Sequence, residues 1–146
     1  MKKVPLLLIM IALAITGCGG GDASDVPPNN QSGDPVNFIR RRQPSGAGMG
    51  AELTGQLALI NKCLKIGGFT AIWPYEFDYT VQGEVVNIIN ENDEVAARTN
   101  DEVSVAGGEI PSLSAEEWGS YVTGDPIQCG GPYWSVSGSV EIVKAK

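Results

Sequence analysis

The sequence predicts an all-β domain over residues 51–146, a small barrel or sandwich carrying one short helix. Three observations carry that expectation. Apolar and polar residues alternate in several short runs, and a period of two marks half-buried strands. Clusters of turn-forming residues separate the runs at close spacing. Six or seven such strands fit into fewer than a hundred residues. That suits a closed barrel, the OB-like form included, because closure removes the exposed sheet edges.

Taken in order, Leu53, Gly55, Leu57 and Leu59 form the first alternating run. Tyr75, Phe77, Tyr79 and Val81 form the second, as an inner face, with Glu76, Asp78, Thr80 and Gln82 outside. Residues 85–89 and 94–98 flank Asn90-Glu91-Asn92-Asp93, which reads as a hairpin turn. A short strand over residues 102–105 is expected to end at Gly107-Gly108. Ser114-Ala115-Glu116-Glu117 is a capping-box pattern that starts a helix running to Tyr121. Trp134, Val136, Gly138, Val140 and Ile142 alternate with Ser135, Ser137, Ser139 and Glu141 in the last strand.

The chain ahead of this domain has a different character. Met1-Lys2-Lys3 is positive, and an apolar run of 12 residues from Val4 to Ile15 follows, interrupted only by Pro5. A membrane-spanning helix needs about 20 apolar residues, so this run matches the core of a signal peptide. Ile15-Thr16-Gly17-Cys18 then resembles the bacterial lipobox. The resemblance implies removal of residues 1–17, diacylglycerol on the Cys18 thiol, and acylation, by palmitate for example, of the new amino terminus. It places the domain on the exported side of a cell membrane or outer membrane. Gly19, rather than Asp, follows the cysteine, and this favours the outer membrane if the host has two. Residues 18–50 are rich in Gly, Pro, Asn, Ser and Asp and read as a disordered tether. From Gly19 to Gly50 its flexible reach is roughly 30 Å and its full extension about 105 Å. Arg40-Arg41-Arg42 is read as a solvated basic stretch within the tether, with contact to anionic lipid or an acidic polymer as the functional alternative.

Composition narrows the chemistry. The formal charge is −7, and removal of residues 1–17 takes away Lys2 and Lys3 but no acid, leaving −9. Such a chain is a poor partner for nucleic acid, which needs clustered Lys and Arg. It has no histidine. Triads built on imidazole and zinc sites built on imidazole are therefore excluded. No Ser-x-x-Lys occurs beside Lys62 or Lys65, and the Gly-Gly pairs at 107–108 and 130–131 fit turns rather than a phosphate loop. Three cysteines are present, and lipidation of Cys18 leaves Cys63 and Cys129 to form a structural disulfide in an oxidising compartment.

Two acidic constellations and one aromatic set remain as candidates. Glu76 and Asp78 share one strand face, as a pair of carboxylates acting on a glycoside would, but a solvated outer face is the favoured reading. Glu91, Asp93 and Glu94 offer oxygen ligands for calcium, although an acidic hairpin tip accounts for them. Trp73, Tyr75, Trp118 and Trp134, with Tyr121 and Tyr133 nearby, form a candidate ligand surface for sugar or peptide. The competing account puts most of these rings in the core.

The order Leu53-x-Gly55, Cys63-Leu64, Trp73-Pro74, Asp101-x-Val103, Gly107-Gly108-Glu109 and Cys129-Gly130-Gly131-Pro132-Tyr133-Trp134 covers most of the domain. It resembles small exported β-rich domains of bacteria with no assigned activity, and implies a β fold without adding a catalytic residue. The chain departs from that pattern at Asn100, where glycine is common before the aspartate. Together these readings lead to an expected non-catalytic binding or structural module of the cell envelope, with no cofactor or metal. Its partners would be the membrane, through lipid, and an envelope protein or glycan. A carboxylate-based glycan hydrolase and a small-ligand receptor are the alternatives.

Overall fold

The computed structural model describes residues 35–44 and 48–146; the expected signal peptide, Cys18 and the chain to Asp34 lie outside the described residues, as do residues 45–47. Five strands close into a barrel: β2 (Ala51–Ile60), β3 (Cys63–Ile66), β4 (Phe69–Ile72), β8 (Glu102–Ile110) and β10 (Tyr133–Lys144). Around the barrel the order is β10-β4-β3-β2-β8. All neighbours are antiparallel except β4 and β10, which run parallel. This is a five-stranded Greek-key barrel of OB-like connectivity. The all-β expectation holds, in its barrel form.

Alternation explains the interior. Leu57, Leu64, Ile66, Ala71, Val103, Val105, Trp134 and Val136 point inward at every second position and are all buried. The strand β8 does not end at Gly107-Gly108 but continues to Ile110, because glycine there allows close approach of β10. A Cβ on Gly107 would run into the Ser135 carbonyl and the Trp134 indole. The long strand β10 shifts register between Val136 and Val140, with Gly138 at φ 92° inside the irregularity. A positive φ of that kind suits glycine.

Between β4 and β8 the chain builds a three-stranded sheet, β5 (Asp78–Gln82), β6 (Val85–Ile89) and β7 (Val95–Arg98). Val86, Ile88 and Ala97 join the barrel core. The expected hairpin is present, and the Asn90 carboxamide oxygen holds its turn by accepting from the Asn92 and Glu94 amides at 2.9 and 3.0 Å. The expected strand from Tyr75 is shorter than its alternation suggests. A turn in which the Phe77 amide donates to the Pro74 carbonyl at 3.2 Å delays it to Asp78. Phe77 is buried and Tyr79 half-buried, but Tyr75 and Val81 are exposed, at 47% and 40%. Asn100 adopts φ 80°, so the departure from glycine keeps a left-handed turn.

The expected helix forms as α1 (Ala115–Tyr121), with both halves of the capping box in place. Ser114 accepts from the Glu117 amide, and the Glu117 carboxylate accepts from the Ser114 amide at 2.8 Å and its hydroxyl at 2.7 Å. These bonds hold the Glu117 carboxyl below its ordinary value, the Ser114 amide contributing most. A short strand β9 (Val122–Thr123) and a single helical turn α2 (Pro126–Cys129) follow.

One segment overturns the expected domain boundary. Residues 36–41, expected in the tether, belong to the folded domain, because they carry enough apolar surface to be buried. Val36 and Phe38 enter the barrel core, and Ile39 enters a second cluster. This arm lies alongside β3 and β4, bridging Asn37 to Cys63 and Arg40 to Trp73 in parallel. Its strand β1 (Arg40–Arg41) pairs antiparallel with β9. Phe38 stacks against Trp73 and Tyr79, with ring centroids 6.2 and 5.0 Å away.

Two outcomes follow. Phe38→Ala removes a buried ring from the core and should lower unfolding free energy by about 3–5 kcal/mol in urea titration; a change near zero would mean that the arm is peripheral. Ser114→Ala removes the hydroxyl but keeps the amide, so the Glu117 titration, followed by carbon-detected NMR, should move only part of the way towards the ordinary carboxylate range. Because the folded value is depressed, the cap contributes above the unfolded value and is lost as pH falls through the folded one. An unchanged titration would assign the whole shift to the Ser114 amide.

Candidate functional site

The arrangement turns on the connection between β8 and β10. Residues 111–132 fold back over the barrel wall, carrying α1, β9 and α2. Beneath them Ile72, on the outward side of β4, meets Ile39, Trp118, Val122 and Tyr133 in a second apolar cluster. Ile110, Leu113, Tyr121 and Cys129 close its margin. The Trp118 and Tyr133 rings meet edge to face at 4.8 Å, and the Tyr133 hydroxyl donates to the Pro126 carbonyl at 3.1 Å.

Cys63 at the start of β3 and Cys129 at the end of α2 are joined by a disulfide, with Cα atoms 5.6 Å apart. The expected pairing is therefore present, and it fastens the connection to the barrel. Polar contacts reinforce it. The Asn37 carboxamide donates to the Asp125 carbonyl at 2.7 Å and accepts from the Asp125 amide at 2.9 Å. Lys65 donates to the Thr70 hydroxyl at 3.0 Å and to the Cys129 carbonyl at 3.2 Å.

This cover has a functional consequence. In OB barrels the face of the second and third strands, with adjoining loops, takes oligonucleotides and oligosaccharides. Here those strands are β3 and β4, and the connection and the arm occupy that side. Thr70, Ile72, Tyr133 and Ser135 on the outward side are all buried.

The expected aromatic surface does not assemble. Trp73, Trp118 and Trp134 are 0%, 2% and 7% exposed, in two different clusters, and Tyr75 alone is open to solvent. Trp73 stacks between Phe38 and Phe77, and Trp134 packs edge-on against Phe69. The need for large rings in a small barrel outweighs any exposed role. None of the three indole N–H groups has a hydrogen-bond partner among the described residues.

The acidic candidates lie in the open. Glu76 sits in the Pro74–Phe77 turn, and Asp78 begins β5 with its carboxylate 3.8 Å from the Arg40 guanidinium. Glu91, Asp93 and Glu94 are exposed at the hairpin, where Glu94 accepts from Asn90 at 3.4 Å. Among the described residues no group of three His, Cys, Asp or Glu side chains is placed to hold a metal ion. No helix among them is long and apolar enough to cross a membrane, which says nothing of strands.

The three arginines are not a solvated run. Arg40 donates to the Phe77 carbonyl at 3.1 Å. Arg41 is buried, and its amide donates to the Trp73 carbonyl at 3.0 Å. Arg42 donates through Nε to the Gly119 carbonyl at 2.8 Å and through its amide to the Tyr121 carbonyl at 3.0 Å. The last turn of α1 has no basic residue of its own, so the arm supplies the cation that a helix C-terminus favours. The signal for this was the apolar spacing Val36, Phe38, Ile39 just ahead of the arginines.

Asp101 stood in the sequence only as part of the Asp101-x-Val103 pattern, with no role assigned to it. Its buried carboxylate accepts from the Arg98 amide at 2.9 Å and the Lys146 amide at 3.2 Å, holding Lys146 beside the start of β8. The chain matches no protein-family model, no curated protein and no solved structure.

Replacing Cys63 and Cys129 together by Ser should lower unfolding free energy by roughly 4 kcal/mol on the chain-entropy model for a loop of this length. The α1–α2 segment should gain amide exchange more than β6 and β7 do. Uniform gain across all strands would show that the bridge does not specifically hold the cover.

Proposed function

We propose that this chain is an exported lipoprotein, held to a membrane by lipid on Cys18, whose domain is a non-catalytic binding or structural module of the cell envelope. The observation that carries the reading is the Cys63–Cys129 disulfide. Disulfides persist in oxidising, exported compartments. With that pair bonded, the remaining cysteine of three is Cys18, at the end of the lipobox-like Ile15-Thr16-Gly17-Cys18.

The domain's own features support a binding or structural role. Of its candidate aromatic residues all but Tyr75 are taken up in packing, and its OB-type face is covered. Its carboxylates at Glu76 and Asp78 are exposed, with Asp78 directed to Arg40 rather than paired in a cleft. A glycan hydrolase would need two carboxylates flanking one bond. A receptor of the kind expected from Trp73 or Trp134 would need those rings at an open mouth, and both are buried in the core.

Intact mass of the membrane-extracted protein tests the anchor. The expected chain begins at Cys18, carries diacylglycerol and an amide-linked acyl group, and gains the two hydrogens of one disulfide on reduction. A mass equal to the unmodified full chain would overturn the reading.

A further inference from the structure

We propose that Arg41 binds a ligand through a single oxyanion group, a carboxylate or a phosphate, on the wall where the arm meets β9. The three arginines of the arm differ in what their side chains already touch. Arg40 donates to the Phe77 carbonyl at 3.1 Å and lies 3.8 Å from the Asp78 carboxylate, and Arg42 donates to the Gly119 carbonyl at 2.8 Å. The Arg41 guanidinium has neither a hydrogen bond nor an ion pair among the described residues, although the residue is only 7% exposed. Its Nε is sealed from solvent with no acceptor.

Register explains the burial. Arg41 lies opposite Val122 on β9, so the two side chains share a face, and Ile39, two residues back, shares it as well. Val122 and Ile39 belong to the outer apolar cluster. On its other side the arm runs parallel to the chain leaving β4, with Arg40 bridged to Trp73, which sets Arg41 beside the buried Pro74. The Val122 amide donates to the Trp118 carbonyl, so α1 closes over the same layer. Apolar residues therefore flank a permanent cation.

A guanidinium does not deprotonate in a protein, so the strain of burial cannot be relieved by loss of charge. A buried cation is costly unless a counterion and hydrogen bonds offset its desolvation. The acids of this region do not supply them. Asp78 is turned to Arg40, Glu76 in the Pro74–Phe77 turn is exposed, and the Glu117 carboxylate is bonded to Ser114 at the far end of α1. The planar fork matches a carboxylate or phosphate in bidentate fashion, and such pairs are stronger where water is excluded. With so little of Arg41 open and its two neighbours already engaged, the site takes one small terminal group, whereas a polyanion would need all three side chains. Nothing in this depends on lipid at Cys18.

The test follows arginine side-chain Nε–H resonances by NMR in the full oxidised chain, extracted in a maltoside detergent. Sodium acetate or sodium phosphate replaces chloride at constant ionic strength. The Arg41 signal is assigned by its loss in Arg41→Lys. A saturable shift confined to Arg41 is the expected result, and the salt that saturates at the lower concentration names the group. Arg41→Lys, which keeps the charge and loses the fork, should weaken binding at least about tenfold, read from the neighbouring Val122 amide. Equal shifts at all three arginines, shifts that grow without saturating, or no shift would overturn the site and reduce Arg41 to a solvated or screened cation. Saturable binding that persists in a folded Arg41→Gln chain would overturn it too. Circular dichroism checks folding, and where Arg41→Gln unfolds, Arg41→Lys carries the comparison. Saturation in protein whose mass shows no lipid on Cys18 would leave this site standing while the anchoring fell.

Discussion

The two apolar clusters of this domain are joined by a few residues of the amino-terminal arm. Val36 and Phe38 are in the barrel core while Ile39 is in the cluster on the barrel's outer wall. The segment passes alongside Cys63 and then Trp73, and its own backbone groups are satisfied on both sides. Trp73 donates to the Ile39 carbonyl at 2.9 Å, and Arg41 donates back to the Trp73 carbonyl at 3.0 Å. Burying backbone without such partners would cost about as much as a lost hydrogen bond for each group. The arm's position therefore settles where Trp73 lies, where β9 can pair, and which side of the barrel is closed.

From that constraint the closed face follows. Residues 111–132 have little regular structure of their own, and α1 is two turns long at most. An isolated helix of this length is unstable in water. It persists because Trp118 packs on Tyr133, Arg42 caps its last carbonyls, and the disulfide fixes the far end of the segment. Closing the face in this way trades an OB barrel's usual binding wall for a second core. For a domain of little more than a hundred residues, where the buried fraction is limited by surface, that is a substantial gain in apolar burial.

The sequence displayed some of this and hid the rest, for identifiable reasons. Alternation located β2, β10 and the β6–β7 hairpin, and the Ser114-to-Glu117 spacing located α1, because each is a local pattern with a local cause. Cysteine arithmetic paired Cys63 with Cys129 across 66 residues because so few partners were available. The arm was missed because its flanks, Pro27-Pro28-Asn29-Asn30 and Ser45-Gly46-Ala47-Gly48, dominate the composition of residues 18–50. Its burial is non-local, created by β3, β4 and β9. The aromatic surface failed for a related reason. Sequence places Trp73 and Trp134 at strand ends, but only the closed topology shows that both are enclosed, the first between Phe38 and Phe77. Tyr75 departs the other way, since Pro74 starts a turn inside an otherwise regular alternation.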